Sequence, residues 1–130
     1  MQAIFSQLGL SQPQTRLIMK FLFVGLALLG IGVALLPGIS TGDFPNSDKF
    51  MHAGALFGFA VLLDWATPRS FWGWKVPVLL GYGAFIELLQ ALTTWRSASL
   101  ADFAADAAGV LLYWLLWRVV LQRFVAQQGR

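Results

Sequence analysis

The sequence predicts an all-α, polytopic integral membrane protein, a four-transmembrane-helix bundle with both termini cytoplasmic. Three observations predict it. Of 130 residues, 58% are hydrophobic and only 12% charged, against roughly half and a quarter in a soluble domain, and the mean hydropathy is +0.68. Four apolar segments divide the chain, each close to the roughly 20 helical residues that a ~30 Å hydrocarbon core requires. The basic residues fall mainly on one side of those segments. No polar stretch is long enough to fold as a separate catalytic domain, so residues 1–130 read as one membrane domain. With no cysteine, disulfides, thiolate nucleophiles and Cys-ligated zinc are ruled out.

The first span, about 17–36, carries no charge after Lys20 and stops at Pro37-Gly38, which cannot continue a helix. Residues 1–40 also resemble a signal peptide, with small residues around Gly38 and Ser40. The apolar run exceeds a signal core and no A-x-A site follows, so a retained helix is expected. The second span, about 50–67, follows Pro45-Asn46-Ser47, with Ser47 the expected N-cap. Pro77 sits in the first turn of the third, about 76–92. The fourth, about 100–124, opens with Asp102 and Asp106 in its first two turns.

Arg16, Lys20, Arg69, Lys75, Arg118, Arg123 and Arg130 lie on one side of these spans, and only Lys49 and Arg96 on the other. Seven against two places both termini inside. Trp65, Trp72, Trp74, Trp114 and Trp117 mark the inner boundary, where an aromatic belt belongs, and Trp95 the outer. Basic residues spread over three segments read as topology determinants, so no nucleic-acid partner is expected.

Ionisable side chains inside a span are costly and mark function. Helical rise puts His52, Gln90 and Asp102 roughly 6 Å below the outer helix ends, and Glu87 and Asp106 roughly 10 to 12 Å down. Asp43, Asp48, Lys49 and Arg96 lie above them. Asp48 and His52 are i,i+4, Glu87 and Gln90 i,i+3, and Asp102 and Asp106 i,i+4, so each pair occupies one helix face. These faces are expected to converge on a pocket opening outward, with Gly83, Glu87, Gln90 and Thr94 opposite Asp102, Asp106, Gly109 and Tyr113. Gly54 and Gly58, a G-x-x-x-G pair, and the small residues of the fourth span are expected to pack helices.

The order Asp48-Lys49-x-x-His52, Glu87-x-x-Gln90, Arg96-x-x-Ser99-x-x-Asp102 and a later Gly109 resembles the VanZ-like membrane-protein family, over about residues 45 to 116. Asp106 departs from the pattern, since the family commonly has Asn there. The resemblance implies a general cell-envelope role in the bacterial cytoplasmic (inner) membrane, with low-level teicoplanin resistance associated with the family's namesake.

Asp48, Lys49, His52, Glu87, Gln90, Arg96, Ser99, Asp102 and Asp106 are the expected ligand-binding residues. The favoured reading is a pocket for an envelope component: a lipid headgroup, lipid-linked precursor or peptide. Lys49 and Arg96 would meet phosphate or carboxylate, and the carboxylates would receive cationic groups. An enzyme acting on a lipid-linked substrate would use His52 as general base with Glu87 or Asp102 as its partner. A small transporter or proton-coupled protein would use the paired acids as a relay. No dense metal motif such as H-E-x-x-H is present, so no metal is expected, although His52, Glu87, Asp102 and Asp106 supply mixed N and O donors. The sequence indicates no cofactor. Membrane lipids, a second copy of the chain or another membrane protein are the expected partners.

Overall fold

The computed structural model describes residues 9–37 and 45–128. It is helical, with no strand among the described residues: α1 Gln12–Leu35, α2 Ser47–Ala66, α3 Val76–Ala91, α4 Leu100–Leu116 and α5 Gln122–Gln128. A π-helical turn, Phe71–Lys75, leads into α3, and a second, Trp117–Leu121, joins α4 to α5. Asp43, Gly38, Ser40 and Arg130 lie outside the described residues.

The first four helices coincide with the four expected segments, and their ends differ for local reasons. α1 starts a turn early because Ser11 caps it, with the Gln14 side chain accepting the Ser11 N–H at 2.9 Å and Pro13 in the first turn. α2 is preceded by Asn46 in the left-handed region, φ 62°, so Ser47 is its first helical residue rather than its cap. The Ser70 hydroxyl accepts the Gly73 N–H at 3.1 Å and opens the turn before α3. At α4, Ser99 Oγ accepts from the N–H groups of Ala101 and Asp102 at 3.1 and 3.3 Å.

α2 and α4 form the most extensive helix pair, with α1 against α2 and α3 closing against α4. Leu56, Phe59, Ala60 and Leu63 of α2, Leu79 of α3, and Val110 and Tyr113 of α4 make the core. Phe59 stands edge-on to both Phe23 of α1 and Tyr82 of α3, at 5.7 and 5.2 Å between centroids. The Tyr82 hydroxyl donates to the Ala27 carbonyl at 2.7 Å, tying α3 to α1.

The close helix approach comes from Gly109. A Cβ there would overlap the carbonyl oxygen of Ala53, so α2 and α4 meet at a separation that only glycine permits. Gly54 and Gly58, expected at a packed face, are instead exposed with open space where a Cβ would stand. The helical phase explains the difference: Ala53 and Leu56 turn toward α4 and the core, which leaves the G-x-x-x-G positions outward.

Two helical stretches, Gln12–Leu35 and Leu100–Val120, are long and apolar enough to cross a membrane. α1 keeps large apolar side chains exposed along its length, among them Leu17, Phe21, Val24, Leu28 and Leu29.

Candidate functional site

The N-terminal turns of α2, the C-terminal turns of α3 and the N-terminal turns of α4 meet at one end of the bundle. His52 stands at the centre. Its Nδ1 lies 3.0 Å from Asp106 Oδ1 and its Nε2 3.7 Å from Glu87 Oε1, so one imidazole bridges α4 and α3. Each ring nitrogen thus faces a carboxylate oxygen, and in the tautomer that carries its hydrogen on Nδ1, Asp106 accepts it while the Nε2 lone pair is left toward Glu87. Glu87 Oε2 accepts the Ser99 N–H at 3.0 Å, which fixes the end of α3 to the cap of α4. Lys49 lies 3.6 Å from both Asp48 and Asp102.

Burial is deepest at the carboxylates. Asp106 is fully enclosed, and the Glu87 and Asp102 side chains are 10% and 8% exposed. Glu87 Oε1, Asp102 Oδ1 and Asp106 Oδ2 are enclosed and receive no hydrogen bond. Asp106 fits because residue 83 is glycine: a Cβ there would meet Asp106 Oδ2 at 2.5 Å. Asp48 is the outermost carboxylate. Its desolvation acts to raise its pKa, but the N–H and ammonium of Lys49 outweigh this and hold it below the ordinary range.

The depth tiers expected from helical rise are not separate layers. His52 reaches both deep carboxylates, because its ring extends along the bundle from the first turns of α2. The two polar stripes also do not simply face each other. Asp106 meets Gly83 of α3, whereas Gly109 and Tyr113 are turned to α2, and Thr94 is exposed.

A cavity of about 130 Å³ lies between α1, α2 and α3 beside this cluster. Its wall is mainly apolar, with Asp48, His52, Gln90, Arg96 and Asp106 supplying the polar groups. The nine expected residues therefore divide in two. Those five face the cavity, while Lys49, Glu87, Ser99 and Asp102 do not line it, and His52 and Asp106 connect the two sets. Arg96 makes no ion pair among the described residues, although it shares the cavity wall with Asp48 and Asp106.

A second polar group, missed from the sequence, lies at the opposite end of the same three helices. Lys75 Nζ donates to Asp64 Oδ1 at 2.5 Å, and the Tyr113 hydroxyl donates to Asp64 Oδ2 at 2.6 Å. Lys75 is buried rather than part of an exposed basic face. Its available signals were Asp64 inside the last turn of an apolar segment and Tyr113 seven residues beyond Asp106 on the α4 stripe. Outside this group, Arg69 lies over Trp74 at 5.1 Å and Arg118 over Trp114 at 5.2 Å, while Trp72 stands edge-on to Trp114.

All-helical architecture with two membrane-length apolar helices is the class of protein that this fold and site define. No protein-family model, curated protein or solved structure matches the chain.

Proposed function

We propose that the chain is a VanZ-like, four-span protein of the bacterial cytoplasmic membrane, with both termini inside, whose outward-facing pocket binds an anionic cell-envelope component. A lipid headgroup, a lipid-linked precursor and a peptide carboxylate share that chemistry. The observation that carries this reading is the cavity itself: an apolar chamber between α1, α2 and α3 whose polar wall includes Arg96 and His52. Such a chamber suits a ligand with an acyl or apolar part and an anionic end. Exposed apolar residues along α1 and α4 support burial in lipid. The Arg118–Trp114 and Arg69–Trp74 pairs have the composition of a membrane interface. Modulation of teicoplanin susceptibility belongs to this reading as a consequence of occupying an envelope precursor.

The test is native mass spectrometry of wild type and Arg96→Ala in mild detergent, with phosphatidylglycerol and phosphatidylcholine offered in equal amounts. Preferential phosphatidylglycerol adducts on wild type, reduced at least about tenfold in the variant at unchanged melting temperature, are expected. Equal binding of both lipids by both proteins sinks it.

A second reading, an enzyme on a lipid-linked substrate, is favoured by one observation. His52 is oriented by a buried carboxylate, the arrangement a general base needs. The orienting partner is Asp106, rather than Glu87 or Asp102 as the sequence had suggested. A relay function has weaker support, because Leu56, Phe59, Leu79 and Val110 separate the two polar groups.

A further inference from the structure

We propose that His52, Glu87 and Asp102 form a binding site for a divalent transition-metal ion of the zinc class, with Asp106 orienting the histidine. One donor atom from each of the three residues lies within 4.8 Å of the others. Ligands around an ion with bonds of about 2.0 to 2.2 Å stand some 3 to 4 Å apart, so side-chain rotations of under about an ångström close the set. The donors come from three different helices. That is why no short-spaced motif announced them in the sequence.

Three further observations point to a cation rather than to a satisfied polar network. Glu87 Oε1 and Asp102 Oδ1 are enclosed, on side chains nine-tenths buried, and neither receives a hydrogen bond. Each has only a long ion-pair contact, 3.7 Å to His52 Nε2 and 3.6 Å to Lys49 Nζ, where native proteins usually give a buried oxygen a hydrogen bond to offset its desolvation cost. Next, Asp48, Glu87, Asp102 and Asp106 are four carboxylates set against one imidazole and two basic side chains, Lys49 and the cavity-lining Arg96, of which only Lys49 lies within ion-pair distance. A dication offsets this surplus where a half-exposed lysine 3.6 Å away does not. Finally, Asp106 holds Nδ1 of His52, the outer-shell arrangement that metal-ligating histidines use to present Nε2 as a lone-pair donor.

One nitrogen and two carboxylate oxygens suit zinc or its neighbours better than magnesium or calcium, which favour all-oxygen sets. Three protein ligands leave a coordination position for water or an anionic group. The site adjoins the proposed envelope-ligand cavity through His52, but it does not depend on that ligand.

The test uses the full chain, purified in mild detergent without a polyhistidine tag, stripped with chelator, loaded with Zn²⁺ and desalted. Elemental analysis is expected to find about one zinc per wild-type chain, with Mg²⁺ and Ca²⁺ not retained. Glu87→Gln and Asp102→Asn, checked for helix content by circular dichroism, are expected to bind at least about tenfold more weakly, and Asp106→Asn about 10- to 100-fold more weakly. Ser97→Ala, in the exposed turn before α4, is expected to retain the ion. His52 is the only histidine, so a single imidazole Nε2 resonance reports coordination in the wild type even if a variant does not fold. A wild-type chain that loses zinc on desalting, an Nε2 resonance unmoved by zinc, or full retention in both Glu87→Gln and Asp102→Asn overturns the proposal. Zinc retained while lipid selectivity fails overturns only the envelope-ligand reading; lipid selectivity without zinc overturns only the metal site.

Discussion

His52 Nδ1 and Asp106 Oδ1 meet at 3.0 Å across the α2/α4 interface, directly above the point where Gly109 lets the two helices touch. The bond sets the face that the imidazole turns to α3. Replacing Asp106 by Asn preserves an acceptor for Nδ1 and removes one of the crowded negative charges, whereas Ala leaves both a void and an unsatisfied ring nitrogen. Asp106→Asn is therefore expected to change stability by less than about 1 kcal/mol, and Asp106→Ala to cost about 1 to 3 kcal/mol. Thermal unfolding in detergent distinguishes them, and equal losses in both would show that the charge, not the acceptor, matters.

The glycines give a sharper contrast. Gly109→Ala drives a methyl group into the Ala53 carbonyl, backbone against backbone, and is expected to cost about 1 to 3 kcal/mol. Gly58→Ala meets nothing within the chain and is expected to be neutral or slightly stabilising. Melting temperatures of the two variants check this. A Gly58→Ala variant that loses stability only at high protein concentration would reveal a self-association face at Gly54 and Gly58.

These cases mark what was legible in the sequence. Apolar length and punctuation by Pro and Ser located four helices, because both signals are local. The i,i+4 pairs Asp48/His52 and Asp102/Asp106 were legible for the same reason, and they do converge with Glu87. Which glycine touches a neighbour depends on helix rotation, a tertiary property, and the local G-x-x-x-G pattern pointed to the wrong face of α2. The pairing of Lys75 was hidden for the same reason. As a basic residue flanking an apolar segment it gives a topology signal, and only the π-helical turn before α3 carries its side chain inward to Asp64.

That inward turn yields a third prediction. Asp64 receives both Lys75 and Tyr113, so Lys75→Ala leaves a largely buried carboxylate without its cation and is expected to cost about 3 to 5 kcal/mol. Tyr113→Phe removes one hydrogen bond and is expected to cost about 1 to 2 kcal/mol. Pairing Lys75→Met with Asp64→Leu removes both charges and should recover most of the loss. A double-mutant cycle on urea or thermal unfolding measures the coupling, and additive losses would show that the pair contributes nothing.

Membrane orientation can be tested on the same two ends, because a chain without cysteine accepts single reporter thiols. Ser97, between α3 and α4, is at the end that holds His52, Glu87 and Asp102; Ser70, before α3, is at the end that holds Asp64 and Lys75. Gln127 lies in α5 at the chain's C-terminal side. If the seven-to-two bias of basic residues sets orientation, a membrane-impermeant maleimide added to intact cells labels Ser97→Cys. Ser70→Cys and Gln127→Cys label only after permeabilisation. The reverse pattern would turn the His52 cluster to the cytoplasm and exclude an extracytoplasmic ligand. Labelling of Ser70→Cys together with Ser97→Cys in intact cells would mean that α3 does not cross the membrane, and the four-span arrangement would fall with it.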